Sequence, residues 1–260
     1  MDDLAELPLL LAARGVTLGA PLHHVAETGS TNDDAKAAAK EGAAHGALWI
    51  AEAQTHGRGR QGRTWSAAPG SSLLFSVLLR VPCAPARVPL VSLVAGLAVR
   101  DAIAHALGDD AAAMVKWPND VLVRDKKIAG VLVESSLAGA KVESIVAGVG
   151  INVHTRDFPP ELAAIATSLA LEGGRTDRAA LLAAVLAGLE RDAPRVLQRG
   201  LGVLQARLSQ HDALAGKRVI GEGVDGVARG IDADGRLLVE AGGITTRVAS
   251  GEVRLMVGEG

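Results

Sequence analysis

The chain has 260 residues, of which 48% are hydrophobic and 22% charged, with a formal charge of −2. That length carries one large domain or a catalytic domain with a small appendage; the composition excludes a disordered or low-complexity chain, and the near-neutral charge argues against a surface given over to nucleic acid or an anionic membrane. The single cysteine, Cys83, permits neither an internal disulfide nor a zinc-type cluster, so a cytoplasmic location is expected.

Met1 to Gly15 opens with Asp2, Asp3 and Glu6, and its apolar run is broken by Pro8, which is not the pattern of a secretory signal. Leu22 to Glu27 reads as a strand. Ser30-Thr31-Asn32-Asp33 then offers N-capping side chains to an Ala- and Lys-rich helix ending near Gly42. Ala47 to Ala53 predicts a strand, Gly57 to Gly70 a long loop, and Ser72 to Arg80 another strand. Val91, Val94, Ala95, Ala98 and Ala102 recur at helical spacing before Gly108. Runs such as Val88 to Val99 are interrupted and end in Arg100 and Asp101, so no membrane span is expected. Three short strands follow at Met114 to Trp117, Lys127 to Ser135 and Val142 to Val149, and Leu181, Leu182, Val185, Leu186 and Leu189 mark a helix with Pro194 at its far end or at a kink. After His211, short alternating runs broken at Gly221-Glu222-Gly223, Asp234-Gly235 and Gly242-Gly243 predict a meander of hairpins. We place a boundary near residue 213; about 47 residues is too few for an independent core, so this module should lean on the rest. The irregular alternation of strands and helices indicates α+β over a doubly wound parallel sheet.

Gly57-Arg58-Gly59-Arg60-Gln61-Gly62-Arg63-Thr64 matches a dinucleotide fingerprint by letter. That motif must open a helix and meet an acidic residue some 20 positions on, whereas Pro69 and Gly70 follow here and Arg80 stands near the acid's place. A phosphate loop of the Walker type fails on the same non-helical continuation. What remains is three guanidiniums spaced by glycine: either a site for a phosphate or carboxylate, expected to be mobile when empty, or a solvated basic loop. Trp65 covers a base or caps the core. Lys116-Trp117-Pro118-Asn119-Asp120 sets an amide and a carboxylate on a turn after a strand, which is also a common surface motif. Lys127 heads an apolar strand in which Gly130 leaves room for a ligand or a close backbone approach, and Lys126 must point to the opposite face. Ala147-Gly148-Val149-Gly150-Ile151-Asn152-Val153 ends a strand in small residues suited to a flat ring, or simply relieves a sheet end. His23-His24 reads as an edge-strand surface pair and Asp232-Ala233-Asp234-Gly235 as a hairpin turn, neither as a metal site.

Taken together and in this order, the Gly-Arg loop with Trp65, the Lys-Trp-Pro-Asn-Asp turn, Lys127-Ile128-Ala129-Gly130 followed by Val131-Leu132-Val133-Glu134, and Gly148-Val149-Gly150-Ile151-Asn152-Val153 resemble the biotin protein ligases. The resemblance is strong from Glu27 to Val153, adds Ala166-Thr167-Ser168-Leu169, and is weaker beyond. It implies a catalytic domain of the biotin-ligase type, related to class II aminoacyl-tRNA synthetases, over residues 1–212, with a mixed sheet flanked by helices, and a small SH3-like barrel over 213–260. It implies activation of biotin by ATP with magnesium to biotinyl-5′-AMP, then transfer to a lysine of a biotin carboxyl carrier domain of an acyl-CoA or acetyl-CoA carboxylase. Lys127, Arg60 and Asp120 are the implied catalytic residues. Ser30, Thr31, Asn32, Gln54, Gly57, Arg58, Arg60, Lys127 and Gly130 are implied for biotin, and Arg58, Arg60, Gln61, Gly62, Arg63, Trp65, Asn119, Asp120, Lys127 and Asn152 for the adenylate. Magnesium travels with ATP and needs no dedicated protein ligands. Gln61 stands where some relatives carry arginine. Only about 22 residues precede the first strand, too few for a winged helix-turn-helix, so a ligase without DNA binding is expected. A lipoate or octanoyl transferase of the same fold and a non-catalytic biotin-binding regulator are the alternative readings.

Overall fold

The computed structural model describes residues 3–221 and 223–255. Glu222, in the turn expected at Gly221-Glu222-Gly223, lies outside the described residues, as do Met1, Asp2 and residues 256–260.

The main sheet has seven strands: β1 (Leu22–Thr28), β2 (Leu48–Gln54), β3 (Ser72–Leu79), β4 (Ala113–Lys116), β5 (Asp120–Val123), β6 (Lys126–Ala138) and β7 (Lys141–Asn152), in the order β1-β2-β3-β7-β6-β5-β4. Only β1 and β2 run parallel, and helix α2 (Thr31–Lys40) makes the crossover that a parallel pair requires. All other neighbours are antiparallel, so the sheet is mixed and not the doubly wound parallel alternative. The strands at 126–138 and 141–152 run several residues beyond the sequence expectation, and β5 was not expected at all.

The remaining helices are α1 (Leu7–Ala13), α3 (Leu90–Leu107), α4 (Pro160–Ala163), α5 (Arg178–Arg199) and α6 (Gln205–Gln210). Every residue of β3 is buried, because both faces of the sheet centre are covered. One face packs on α3 and α5 through side chains such as Val91, Leu97, Ile103, Leu182 and Leu186. The other face receives α2, whose Ala35 and Ala39 are small enough to lie against Trp49, Leu78 and Val146. Pro85–Leu107 is long and apolar enough to cross a membrane by length and composition alone, but 72% of its apolar window is buried inside the molecule, where it serves as a core helix. Pro194 neither ends nor delimits α5; the helix runs on to Arg199, because Val196 and Leu197 stay buried and Arg87 donates to the carbonyl oxygen of Leu197 at 2.9 Å.

A second, antiparallel sheet contains β8 (Arg218–Gly221), β9 (Val224–Ile231), β10 (Leu237–Ala241), β11 (Ile244–Val248) and β12 (Val253–Leu255) in the order β11-β10-β9-β8-β12. It is a meander whose last strand returns to β8. Asp232 Oδ1 accepts from the backbone N–H groups of Asp234 and Arg236, which forms the hairpin turn read at that position. Val219, Ala228, Ile231, Leu237 and Val239 share one apolar core with the main sheet, so this small sheet gains the burial it could not supply alone.

Candidate active site

The side chains of one sheet face give out over its middle strands. Gly130 on β6 pairs with Gly150 on β7, Leu132 pairs with Gly148, and Leu74 and Ser76 of β3 stand opposite Gly150 and Gly148. By strand alternation these residues share the face that α2 covers. Where α2 stops, the three glycines leave the floor of a cavity of about 820 Å³. A Cβ at Gly148 would stand 1.9 Å from Asn32 Oδ1, and one at Gly150 would stand 2.6 Å from the Trp65 indole. The flat ring lying on these small residues is thus the chain's own Trp65.

One end of the cavity is uncharged and hydrogen-bonded. Ser30, Thr31 and Asn32 enter α2 from β1 and are all buried. The sequence suggests that their own side chains cap the helix, but Ser30 makes no side-chain cap bond. The cap comes from β2 instead: Gln54 Oε1 accepts from the Thr31 N–H at 2.8 Å and from its hydroxyl at 3.2 Å. The wholly buried Ser76 donates to Asn32 Oδ1 at 2.6 Å and lies 2.8 Å from the Thr31 hydroxyl. Ser76 was missed from sequence; the signal was a hydroxyl between Leu74 and Leu78 on the α2-facing side of β3.

The other end is cationic. The segment expected to be an irregular loop is a narrow hydrogen-bonded hairpin: Trp65 N–H donates to the Gly57 carbonyl at 2.9 Å, Gly59 N–H to that of Arg63 at 2.7 Å, and Arg58 bridges to Thr64. A Cβ at Gly57 would meet the Trp65 carbonyl at 2.2 Å, which explains the first glycine. Gln61 and Gly62 form the apex with φ of 56° and 73°. They do not line the main cavity; Gln61 borders an adjoining crevice with Asp120, Trp117 and Glu252.

Arg60 reaches inward and donates to Asn119 Oδ1 at 3.3 Å. Burial pushes its guanidinium below the ordinary arginine value, against the nearby charge of Asp120. Asn119 is itself fixed, donating to the Val131 carbonyl at 2.9 Å. Lys127 Nζ lies 2.7 Å from Asp120 Oδ1 and 5.5 Å from the centre of the Trp65 ring. The Lys127–Asp120 contact is a charge pair in which Asp120 Oδ1 accepts no aligned hydrogen bond. Lys126 points away, as alternation requires, toward the Ala163 carbonyl at 3.3 Å. Arg58 turns outward to Asp33 and Glu134, and Arg63 pairs at 3.1 Å with Glu252, in the turn that leads into β12. Asn152 closes the floor, donating to the Thr167 carbonyl at 3.0 Å.

Of the residues implied by the sequence, Ser30, Thr31, Asn32, Gln54, Arg58, Arg60, Arg63, Trp65, Asn119, Lys127, Gly130 and Asn152 line one cavity. Gly57, Gln61, Gly62 and Asp120 do not line it, and Gln61 and Asp120 border the adjoining crevice. The far wall, with Phe158, Leu162 and Ile165, lies in a segment of weak periodicity and was missed. His23 stacks on Trp49 with ring centres 5.1 Å apart and His24 lies 2.7 Å from Glu52, both on the edge strand β1. Among the described residues no cluster of His, Cys, Asp and Glu is placed to hold a metal ion.

A family model described as the biotin/lipoate A/B protein ligase family matches residues 27–152. The chain is 40% identical over 240 residues to a biotin–[acetyl-CoA-carboxylase] ligase of Mycobacterium tuberculosis, covering 88% of this chain and 86% of the relative. It is 30% identical to the bifunctional ligase/repressor BirA of Bacillus subtilis, covering 97% of this chain and 79% of the relative. The structure superposes on the biotin protein ligase of Aquifex aeolicus in complex with biotin and ATP with a TM-score of 0.75 at 29% identity, covering 90% of this chain and 97% of that one.

Proposed function

The chain belongs to the biotin/lipoate A/B protein ligase family, and we propose from this that its cavity activates biotin with ATP and passes the biotinyl group to a lysine of the carrier domain of an acetyl-CoA or other acyl-CoA carboxylase. The observation that carries the reading is a single cavity with an uncharged hydrogen-bonding end at Ser30, Thr31 and Gln54 and a cationic end at Arg60 and Lys127. The first end suits a ureido ring, which both donates and accepts hydrogen bonds. A dithiolane or a plain alkyl chain has no donor or acceptor to match those of Ser30, Thr31 and Gln54, so lipoate and octanoate are disfavoured.

In the first half-reaction a biotin carboxylate oxygen attacks the α-phosphorus of ATP, the bond to the β-phosphate bridge breaks, and pyrophosphate leaves with magnesium. Lys127 and Arg60 stabilise the charge on the phosphoryl oxygens, and no covalent bond to the protein is needed. Trp65 borders the adenine, with Asn152 beneath it. In the second half-reaction the neutral acceptor amine attacks the biotinyl carbonyl carbon, the carbon–oxygen bond to the phosphate breaks, AMP leaves with the bonding pair, and the amine's proton passes to water. Asp120, adjoining Lys127, orients that amine. Arg60 and the hairpin around it shield the mixed anhydride from water. The test is direct: protein given MgATP and biotin should release pyrophosphate and hold a species with the mass of biotinyl-AMP. Biotin binding without pyrophosphate release would contradict the enzyme reading and favour a regulator.

A further inference from the structure

Glu134 lies on β6, the strand that carries Lys127, and its carboxylate is shared by three donors from two elements, α2 and the hairpin. Asn32 Nδ2 donates to Oε2 at 3.0 Å, while Lys36 Nζ and Arg58 Nη2 each donate to Oε1 at 2.8 Å. Burial acts to raise this carboxyl, but the hydrogen bonds from Lys36, Asn32 and Arg58 outweigh it and hold it below its usual value. An ordinary surface carboxylate does not look like this: the Glu134 side chain is 19% exposed, and one of its donors, Asn32, is buried in the cavity wall. Arg58 is held from its other side by Asp33, on the first turn of α2.

We propose that Glu134 is a positioning residue that ties the biotin-facing wall to the Gly57–Thr64 hairpin, resting on the biotin ligase reading above. Asn32 is oriented by Ser76 at its Oδ1 and by Glu134 at its Nδ2, so its amide cannot flip without losing both bonds. Arg58, whose backbone lies in the hairpin, is held to the same carboxylate by its side chain. Displacing one therefore disturbs the other, and Arg58, the first guanidinium of the motif, acts as a fastening of the hairpin instead of a contact to phosphate.

The test uses the whole chain and compares the parent with Glu134→Gln, Arg58→Gln, the double variant, and Lys36→Met, which removes the third donor only. Glu134→Gln should raise KM for biotin about tenfold, the size expected for losing a charge-assisted hydrogen bond, and speed release of biotinyl-adenylate by a similar factor. Its kcat at saturating biotin and its KM for ATP should stay within about twofold, because Arg60 and Lys127 are untouched. Arg58→Gln should do the same, and the double variant should be no worse than the weaker single one. Lys36→Met should match the parent. Asp33→Asn, at a position 53% exposed where folding is not at stake, should shift biotin KM in the same direction by a smaller factor. A Glu134→Gln protein with parental biotin KM and release rate, or single effects that multiply in the double variant, would overturn the proposal while leaving the ligase intact. A parent that forms no biotinyl-adenylate would instead overturn the reading on which the proposal rests.

Discussion

Gly148 and Arg60 are the positions where a single side chain is most tightly constrained by the site. Gly148→Ala puts a methyl group 1.9 Å from Asn32 Oδ1, so Asn32 must leave its place between Ser76 and Glu134. Overpacking of this kind costs about 1–3 kcal/mol, and calorimetric titration should show biotin affinity falling by at least about tenfold. Arg60→Ala leaves Asn119 without its guanidinium partner and opens the cationic end, so biotinyl-adenylate should escape at least about tenfold faster in a filter-retention assay, whereas unchanged retention would remove Arg60 from the sealing role. Most of these residues were legible as motifs, since glycine, arginine and Asn-Asp spacings survive without any structure. Ser76 and Gln54 were harder. Their partners, Thr31 and Asn32, are more than twenty residues away, and nothing local announces that a serine or glutamine in a strand will complete a distant helix start.

Elements supply the frame that makes those contacts simultaneous. The strand β5 escaped the sequence reading because only four residues separate the Pro118-Asn119 turn from the next one at Arg124-Asp125, both of which have positive φ. It nevertheless carries Asp120, at its first residue, to Lys127 on β6 across a register shift. Trp117, just before it, is buried and donates its Nε1–H to the Gly235 carbonyl at 2.9 Å, pinning the turn to the second sheet. Trp117→Phe keeps most of the packing but orphans that carbonyl. A loss of about 1–2 kcal/mol is expected, read as a lower melting temperature, with KM for ATP rising because Asn119 and Asp120 follow the turn. A purely additive loss of stability with unchanged ATP kinetics would show that the second sheet supports the fold without shaping the site. The Arg63–Glu252 pair, at 3.1 Å, is a second contact between the C-terminal module and the hairpin.

For the molecule as a whole, the expectation of an α+β fold with an appended meander stands, and the parts that sequence could not supply were long-range: the register that stacks Gly130, Gly148 and Gly150, and the shared core of the two sheets. Acid stability follows from groups spread over the chain. Hydrogen bonding to Arg178 holds Asp3 low, and Arg191 and Arg207 overcome burial to hold Asp192 low; with Glu134 these carboxylates contribute stability that is present above about pH 4 and lost as pH falls through their lower folded values. Burial also lowers His211, so its contribution is complete above about pH 6.5 and declines below it, whereas Asp212, raised by burial, acts in the opposite sense. The melting temperature should therefore slip modestly between pH 7 and 5 and drop steeply below 4; a midpoint that rises on acidification would contradict this balance. The central claim, one cavity performing both half-reactions, is tested most directly by supplying the protein with MgATP, labelled biotin and either a biotin carrier domain or a lipoyl domain. Label is expected on the carrier lysine alone; label on the lipoyl domain, or adenylate without transfer to either, would contradict that claim.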